Sequence, residues 1–484
     1  MKKYFTFSIV LLFFSMIFIS CQKEDLLTST TPSNVDANNN GFASKQVAQL
    51  FANSCAVAGC HKGSSPSSGL SIENFTKLLK GSTNRDGDTT NHYGGEVVIP
   101  FNSEKSLLYQ ILKNNVTPSA PHDTIALKST DVNAVKNWID NGAKDNNGNI
   151  PFSNPSFRVF VCDQASDMVS VIDGDAMVVS RIINVDQNAG LIDSPHMVKS
   201  RNGFLYVTLI ADGKFLKFKT ADLSQAGEVS GIEKAGMILL SPDGSKAYVS
   251  RSSTSSPIYT SVFAVNILDM TVKKEISLPD VGVPHGIALT PDGKRLYIAN
   301  LTQHRISVVN GITDEYDHDI VLPVDYEPMQ ANISPDGKYL YISERKYGRF
   351  LVIDTQTDSM LTEVQLNPMP MQIAVTKDGN KIYVASKGAN VVEIIQKSGV
   401  SWGKTGEISH PHFRHLHGID LTADDKYLFV SSENHDPSDA FVPPIKINGE
   451  GNTATLGIID TQTNKVIKVL DIEEYGSGLT VGYD

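Results

Sequence analysis

Apolar residues keep two different rhythms along the chain, and the change between them falls near residue 157. Beyond that point they form short alternating runs, the period-two pattern of half-buried strands. Five phrases recur there: LSPDGSKAYVSR, LTPDGKRLYIAN, ISPDGKYLYISE, VTKDGNKIYVAS and LTADDKYLFVSS. Their aspartates, Asp243, Asp292, Asp336, Asp378 and Asp424, lie 49, 44, 42 and 46 residues apart. Short strands repeating at that period predict the blades of a β-propeller. In the PDG phrase Pro sets the turn's φ, Asp bonds its own backbone and Gly takes the positive φ, so each turn joins a blade's innermost strand to its second. Seven blades are expected, beginning near Arg158, Ser194, Ala235, Val283, Glu327, Asn367 and Leu416. The first lacks an innermost strand. The tail GSGLTVGYD has the character to supply it, so residues 477–483 are expected to close the ring and remove its open edges.

Upstream the rhythm is helical. Val47, Leu50 and Phe51 share one helical face, and SEKSLLYQILKN and STDVNAVKNWIDNGA read as amphipathic helices, the second capped by Ser129 or Thr130 and stopped at Gly142. The first twenty residues, MKKYFTFSIVLLFFSMIFIS, place an apolar run behind two lysines, as a secretory signal does; a retained transmembrane anchor is the competing reading. The expected organisation is a signal at 1–20, a flexible tether at 21–44, a small all-α domain at 45–145, a linker at 146–156 and an all-β seven-bladed propeller at 157–484.

Composition narrows the partners. A net charge of -11, with no clustered Lys and Arg, argues against nucleic acid or an anionic membrane surface. No serine or cysteine nucleophile constellation, phosphate-cradling loop or dinucleotide fingerprint stands out.

The four cysteines change the picture more. Ile19, Ser20 and Cys21 resemble the end of a bacterial lipobox, which implies lipidation of Cys21, and Gln22 to Asp25 resemble the acidic signal that sends some lipoproteins to the outer face of the outer membrane. Cys162 falls in a strand-like run as a small buried residue. That leaves Cys55 and Cys60 as a local pair with His61 beside the second, in SCAVAGCHKG. Covalent haem attachment needs two thiols for the vinyl groups and an adjacent imidazole for the iron. A disulfide between Cys55 and Cys60, and a zinc site drawing on His92 or His122, compete with it.

Around this motif, residues 45–145 resemble a small monohaem cytochrome c domain, down to the closing Trp138, Ile139, Gly142 and Ala143. The resemblance implies haem c held by Cys55, Cys60 and His61, with the last helix against the haem edge. Four residues separate the cysteines where two are commoner. The family's second ligand comes from a Met-Pro pair, but here Ala120, Pro121 and His122 stand in that place and no Met occurs between residues 22 and 150. Either His122 binds the iron, with His92 as a weaker candidate, or the sixth position is open; bis-histidine ligation would give a comparatively low potential.

The strand phrases resemble the YVTN family of seven-bladed propellers. Inner-strand starts would bring His196, Gly236, His285, Met329, Met371 and His417 to one mouth, and HPHFRHLH adds His410, His412 and His415, with His435 from the insertion that follows. Histidine with methionine suits copper, and histidine with carboxylate suits zinc or iron, so a second metal at this mouth is expected; strand-capping and channel-filling roles compete. Fusion of a cytochrome domain to a propeller resembles the haem d nitrite reductases in architecture alone. Two functions stay open: a periplasmic or surface oxidoreductase with its active site at the mouth, or a binding module for a substrate or partner protein with a relay haem. The linker is expected on the face opposite the mouth, which would favour the second.

Overall fold

The structure, a computed structural model, describes residues 39–118, 127–279 and 282–483. Seven four-stranded antiparallel sheets form a seven-bladed β-propeller. Blade two, for instance, runs outward through Pro195–Arg201, Phe204–Leu209, Lys214–Lys219 and Gln225–Val229. Blade one takes its innermost strand from the C-terminal Gly476–Gly482, which pairs antiparallel with Arg158–Asp163 in the register Val159 to Val481 and Val161 to Leu479. The ring therefore closes through hydrogen bonds between the two ends of the propeller, as the tail sequence predicted, and no inner edge is left open.

The repeat phrases carry their own packing logic. The third residue of each second strand is a large ring: Phe160, Tyr206, Tyr248, Tyr297, Tyr341, Tyr383 and Phe429, all buried between neighbouring blades. The fifth residue is often a small hydroxyl, which reaches the next blade's inner strand. Thr208 donates to the Gly236 carbonyl (2.5 Å), Ser250 to that of His285 (2.9 Å), Ser343 to that of Met371 (2.6 Å) and Ser431 to that of Ser477 (2.6 Å). Rings fill the space between blades, and hydroxyls tie the blades around the channel.

The helical part packs α1 (Lys45–Leu50), α2 (Phe75–Leu79), α3 (Leu107–Leu112) and α4 (Ser129–Asp140) around Phe42, Phe51, Phe75 and Trp138, whose rings meet edge to face. Gly142, at φ +93°, stops α4 as expected. The expected cap differs: Lys128 occupies the N-cap position, Ser129 is already helical, and no side chain caps the helix.

This part lies against the flank of blades one and seven. Arg85 bonds Asp471 (2.7 Å), Tyr93 donates to the same carboxylate (2.7 Å), and Lys105 pairs with Glu450 (2.7 Å) and Glu473 (2.6 Å). Glu96 accepts from the Val179 amide (2.9 Å), and Val116–Thr117 forms a short ladder with Lys446–Ile447 of the blade-seven insertion. The linker enters opposite the mouth as expected, with the Ser156 amide bonding Asp175 beside the start of Arg158–Asp163, but the preceding chain lies along the side: two short elements, neither visible as a strand in the sequence, draw the helical part to the flank that carries the insertion. Among the described residues no helix is long and apolar enough to cross a membrane.

Candidate functional site

The cysteine and histidine motif sits at a local departure from helix. After α1 the chain widens, so the Ala56 amide bonds the Phe51 carbonyl five residues back (2.7 Å), and this turn delivers Cys55, buried, into a cavity. The His61 amide bonds the Cys55 carbonyl (3.2 Å), and His61 Nδ1 bonds the Leu70 carbonyl (3.0 Å). That carbonyl can only accept, so Nδ1 donates to it. Cys55 and His61 line one cavity of about 80 Å³ with Leu70, Val97, Leu108 and Ile111, and Ile445 of the blade-seven insertion completes its wall. Burial, then the neighbouring Cys60, raises the Cys55 thiol to about 11, while Cys60 itself is exposed. Both are free thiols.

Other expectations for this region meet mixed outcomes. Of the later helices, α3 lines the cavity and α4 does not, its Trp138 being committed to the aromatic cluster. His92 is turned to the propeller, its carbonyl accepting from the Val469 amide (3.1 Å), and is not among the lining residues. His122 and Cys21 lie outside the described residues.

The second site is the propeller channel. Five of the seven innermost strands begin at a proline or leucine and then break register: between Pro195 and Met197, Pro284 and Ile287, Pro328 and Gln330, Pro370 and Ile373, and Leu416 and Ile419. His196, His285, Met329, Met371 and His417 occupy those breaks, where a bulge re-aims a side chain. Three of these residues are imidazoles that come together. The ring centres of His196 and His285 are 6.1 Å apart, and those of His196 and His417 are 5.7 Å apart.

Each of the three presents Nδ1 to an acceptor: His196 to Gln164 Oε1 (3.2 Å), His285 to the Met329 carbonyl (2.9 Å) and His417 to Glu433 Oε1 (2.7 Å). Burial, and then the other imidazoles, lowers His196 well below the ordinary histidine range and His285 to about 3. Glu433 is fully buried and shared by His417, Lys387 (2.5 Å) and His435 (2.9 Å). Burial works against its charge, but His417 and Lys387 outweigh it and bring its pKa to about 2.

The expectation that HPHFRHLH feeds one basin is corrected. His410 bonds the Asn91 carbonyl (2.6 Å) and His412 approaches Asp86 (3.3 Å) and stacks near Tyr93 and Phe441, so both belong to the seam with the helical part. His415 meets His435 at the rim (4.8 Å), and only His417 enters the channel. The segment separates them because residues 410–415 form a turn and the strand begins only at Leu416. Glu433 and Gln164, which orient the imidazoles, carry no sequence signal beyond their place at the ends of second strands. Among the described residues no group of three or more His, Cys, Asp or Glu side chains is placed, as it stands, to hold a metal ion.

No protein-family profile matches the chain, and no curated protein matches it. Solved structures do. A functionally unknown protein from Desulfotomaculum acetoxidans is 14% identical, with 67% of this chain and 99% of that one covered and a TM-score of 0.54. A protein from Lactobacillus plantarum is 16% identical over the same shares, with a TM-score of 0.53. Both are similar to this chain in fold. Hydrazine synthase of Kuenenia stuttgartiensis, 16% identical over 56% of this chain and 88% of its own, reaches a TM-score of 0.48, too loose a match to bear on fold or chemistry.

Proposed function

We propose that this chain is an electron-transfer protein in which residues 45–145 are a c-type cytochrome domain and the propeller serves the haem's redox partner or substrate. The observation that carries this reading is the shared cavity. Cys55 and His61 open onto one apolar cavity walled by α3 and Ile445, and the Leu70 carbonyl orients the His61 ring by accepting from its Nδ1. The donor set suits the group: Cys55 from the cavity wall and Cys60 from the exposed turn beside it would hold it through thioethers, and His61 would ligate it. When bound, a haem supplies one-electron chemistry. The chain's part is to exclude water with α3 and Ile445 and to hold the imidazole in one orientation. His122 is the candidate for the opposite side of the iron.

The propeller contributes to that cavity's wall. Its insertion begins at Glu433, which holds the channel's His417, and runs to Ile445 in the wall, so the two sites share one segment. This supports a redox role for the propeller over a separate binding module. Export, lipidation at Cys21 and anchoring at the outer membrane belong to the same proposal, since haem attachment of this kind takes place outside the cytoplasm.

The test is expression in a host with c-type maturation. A Soret band should remain with the polypeptide after denaturation and acid-acetone extraction, and Cys55→Ala with Cys60→Ala should release it. Colourless wild-type protein from that host would overturn the reading.

A further inference from the structure

The channel imidazoles form a preorganised donor set. His196, His285 and His417 are 7%, 4% and 5% exposed, and each comes from a different blade of a closed ring, so none can leave without breaking the propeller's inner strands. Their Nδ1 partners are a carboxamide oxygen, a backbone carbonyl and a carboxylate, which are acceptors. Each Nδ1 is therefore the donor, and Nε2 carries the lone pair in any ring that is neutral. Nε2 of His196 and Nε2 of His417 are fully buried and find no hydrogen-bond partner among the described residues. A buried polar nitrogen left unmatched costs about 1–3 kcal/mol, and two of them beside each other point to a ligand that matches them.

We propose that His196, His285 and His417 bind one first-row transition-metal ion through their Nε2 atoms in the propeller channel, with Cu²⁺ held more tightly than Zn²⁺. Neutral imidazole suits both ions, and at a given nitrogen site Cu²⁺ binds tighter. A tetrahedral ion ~2 Å from each nitrogen would set ring centres ~5 Å apart. The observed separations of 5.7 and 6.1 Å leave roughly 1 Å to close, which side-chain rotation at the bulges can supply. Glu433 completes the arrangement as a positioning residue: its carboxylate orients His417 and raises the basicity of that ring, as a carboxylate behind a metal-bound histidine does. This site does not depend on the haem reading, because none of its residues touches the cavity of Cys55 and His61.

The experiment uses the full chain without a polyhistidine tag, stripped with chelator and equilibrated with Cu²⁺ or Zn²⁺ alone. Metal and iron are counted separately, so iron reports on the haem and the added metal on the channel. One Cu²⁺ per chain is expected, with nitrogen hyperfine splitting in its EPR spectrum. Glu433→Gln should weaken Cu²⁺ by ~10–100-fold, and His196→Asn with His417→Asn should abolish stoichiometric uptake, while His410→Asn should leave it unchanged. Wild-type protein that takes up no stoichiometric Cu²⁺, or shows no nitrogen splitting, overturns the proposal. So does uptake that survives loss of both channel histidines.

Discussion

At the scale of single residues, a buried imidazole ties stability to pH in a direction that can be worked out. His285 is pushed down to about 3 from an ordinary value near ~6.5, chiefly by burial. Below ~6.5 the unfolded chain takes a proton that the folded chain refuses, so stability is complete above that pH and falls as pH drops toward about 3. The loss is roughly 1.4 kcal/mol per pH unit for each such group, and His196 acts in the same direction. Asp163 and Glu473, whose pKa values burial raises, work the opposite way, but equally in a variant. Urea midpoints measured between pH 7 and pH 5 should therefore fall less steeply for His285→Gln than for wild type. Equal slopes would contradict the assignment. The three imidazoles were legible as residues because each follows a blade's opening proline or leucine. Their orientation was not, since their partners lie 32, 44 and 16 positions away in the chain.

Elements repeat the same lesson. The PDG turns and alternating strands were legible because a blade is built from neighbours in sequence, and closure followed from counting strands. The hydroxyl at the fifth place of the second strand was missed, although it stands in plain view in VTL, VSR, ISE and VSS. Its partner is a carbonyl on the next blade, so only the assembled ring gives it meaning. Ser343→Ala would strand the buried Met371 carbonyl and should cost about 1–3 kcal/mol in urea unfolding. Ser250→Ala, acting on the His285 carbonyl at a different seam, should add to it nearly independently. A double variant no less stable than wild type would show that these bonds contribute nothing net. The helical elements illustrate the converse: Trp138 was legible as a core residue, but its four-ring cluster takes α4 away from the cavity that α3 lines.

The whole molecule depends on how the helical part and the propeller hold each other, a feature the sequence leaves dark because its ladder is two residues long on each side. The seam is polar and charged. Arg85, with a side chain 7% exposed, spends its donors on Asp471, the Glu96 carbonyl (2.8 Å) and Ser82 (3.1 Å), and Tyr93 adds a second bond to Asp471. Removing one partner of such a buried pair leaves the other charge uncompensated and costs about 3–5 kcal/mol. Because Arg85 also lines the cavity of Cys55 and His61, that cost falls on the helical part and on the wall it shares with Ile445. Asp471 lies on the outermost strand of blade seven, away from the inner strands that close the ring. Asp471→Ala should therefore split a single calorimetric transition into two. The earlier one would belong to the helical part, and the later one would stay close to the wild-type temperature. A variant that melts in one transition at the wild-type temperature would show that the seam is a loose contact and that the two sites are not held in a fixed relation. If the split appears and the haem is in place, its Soret band should shift with the first transition and not with the second, since the cavity opens when the seam does.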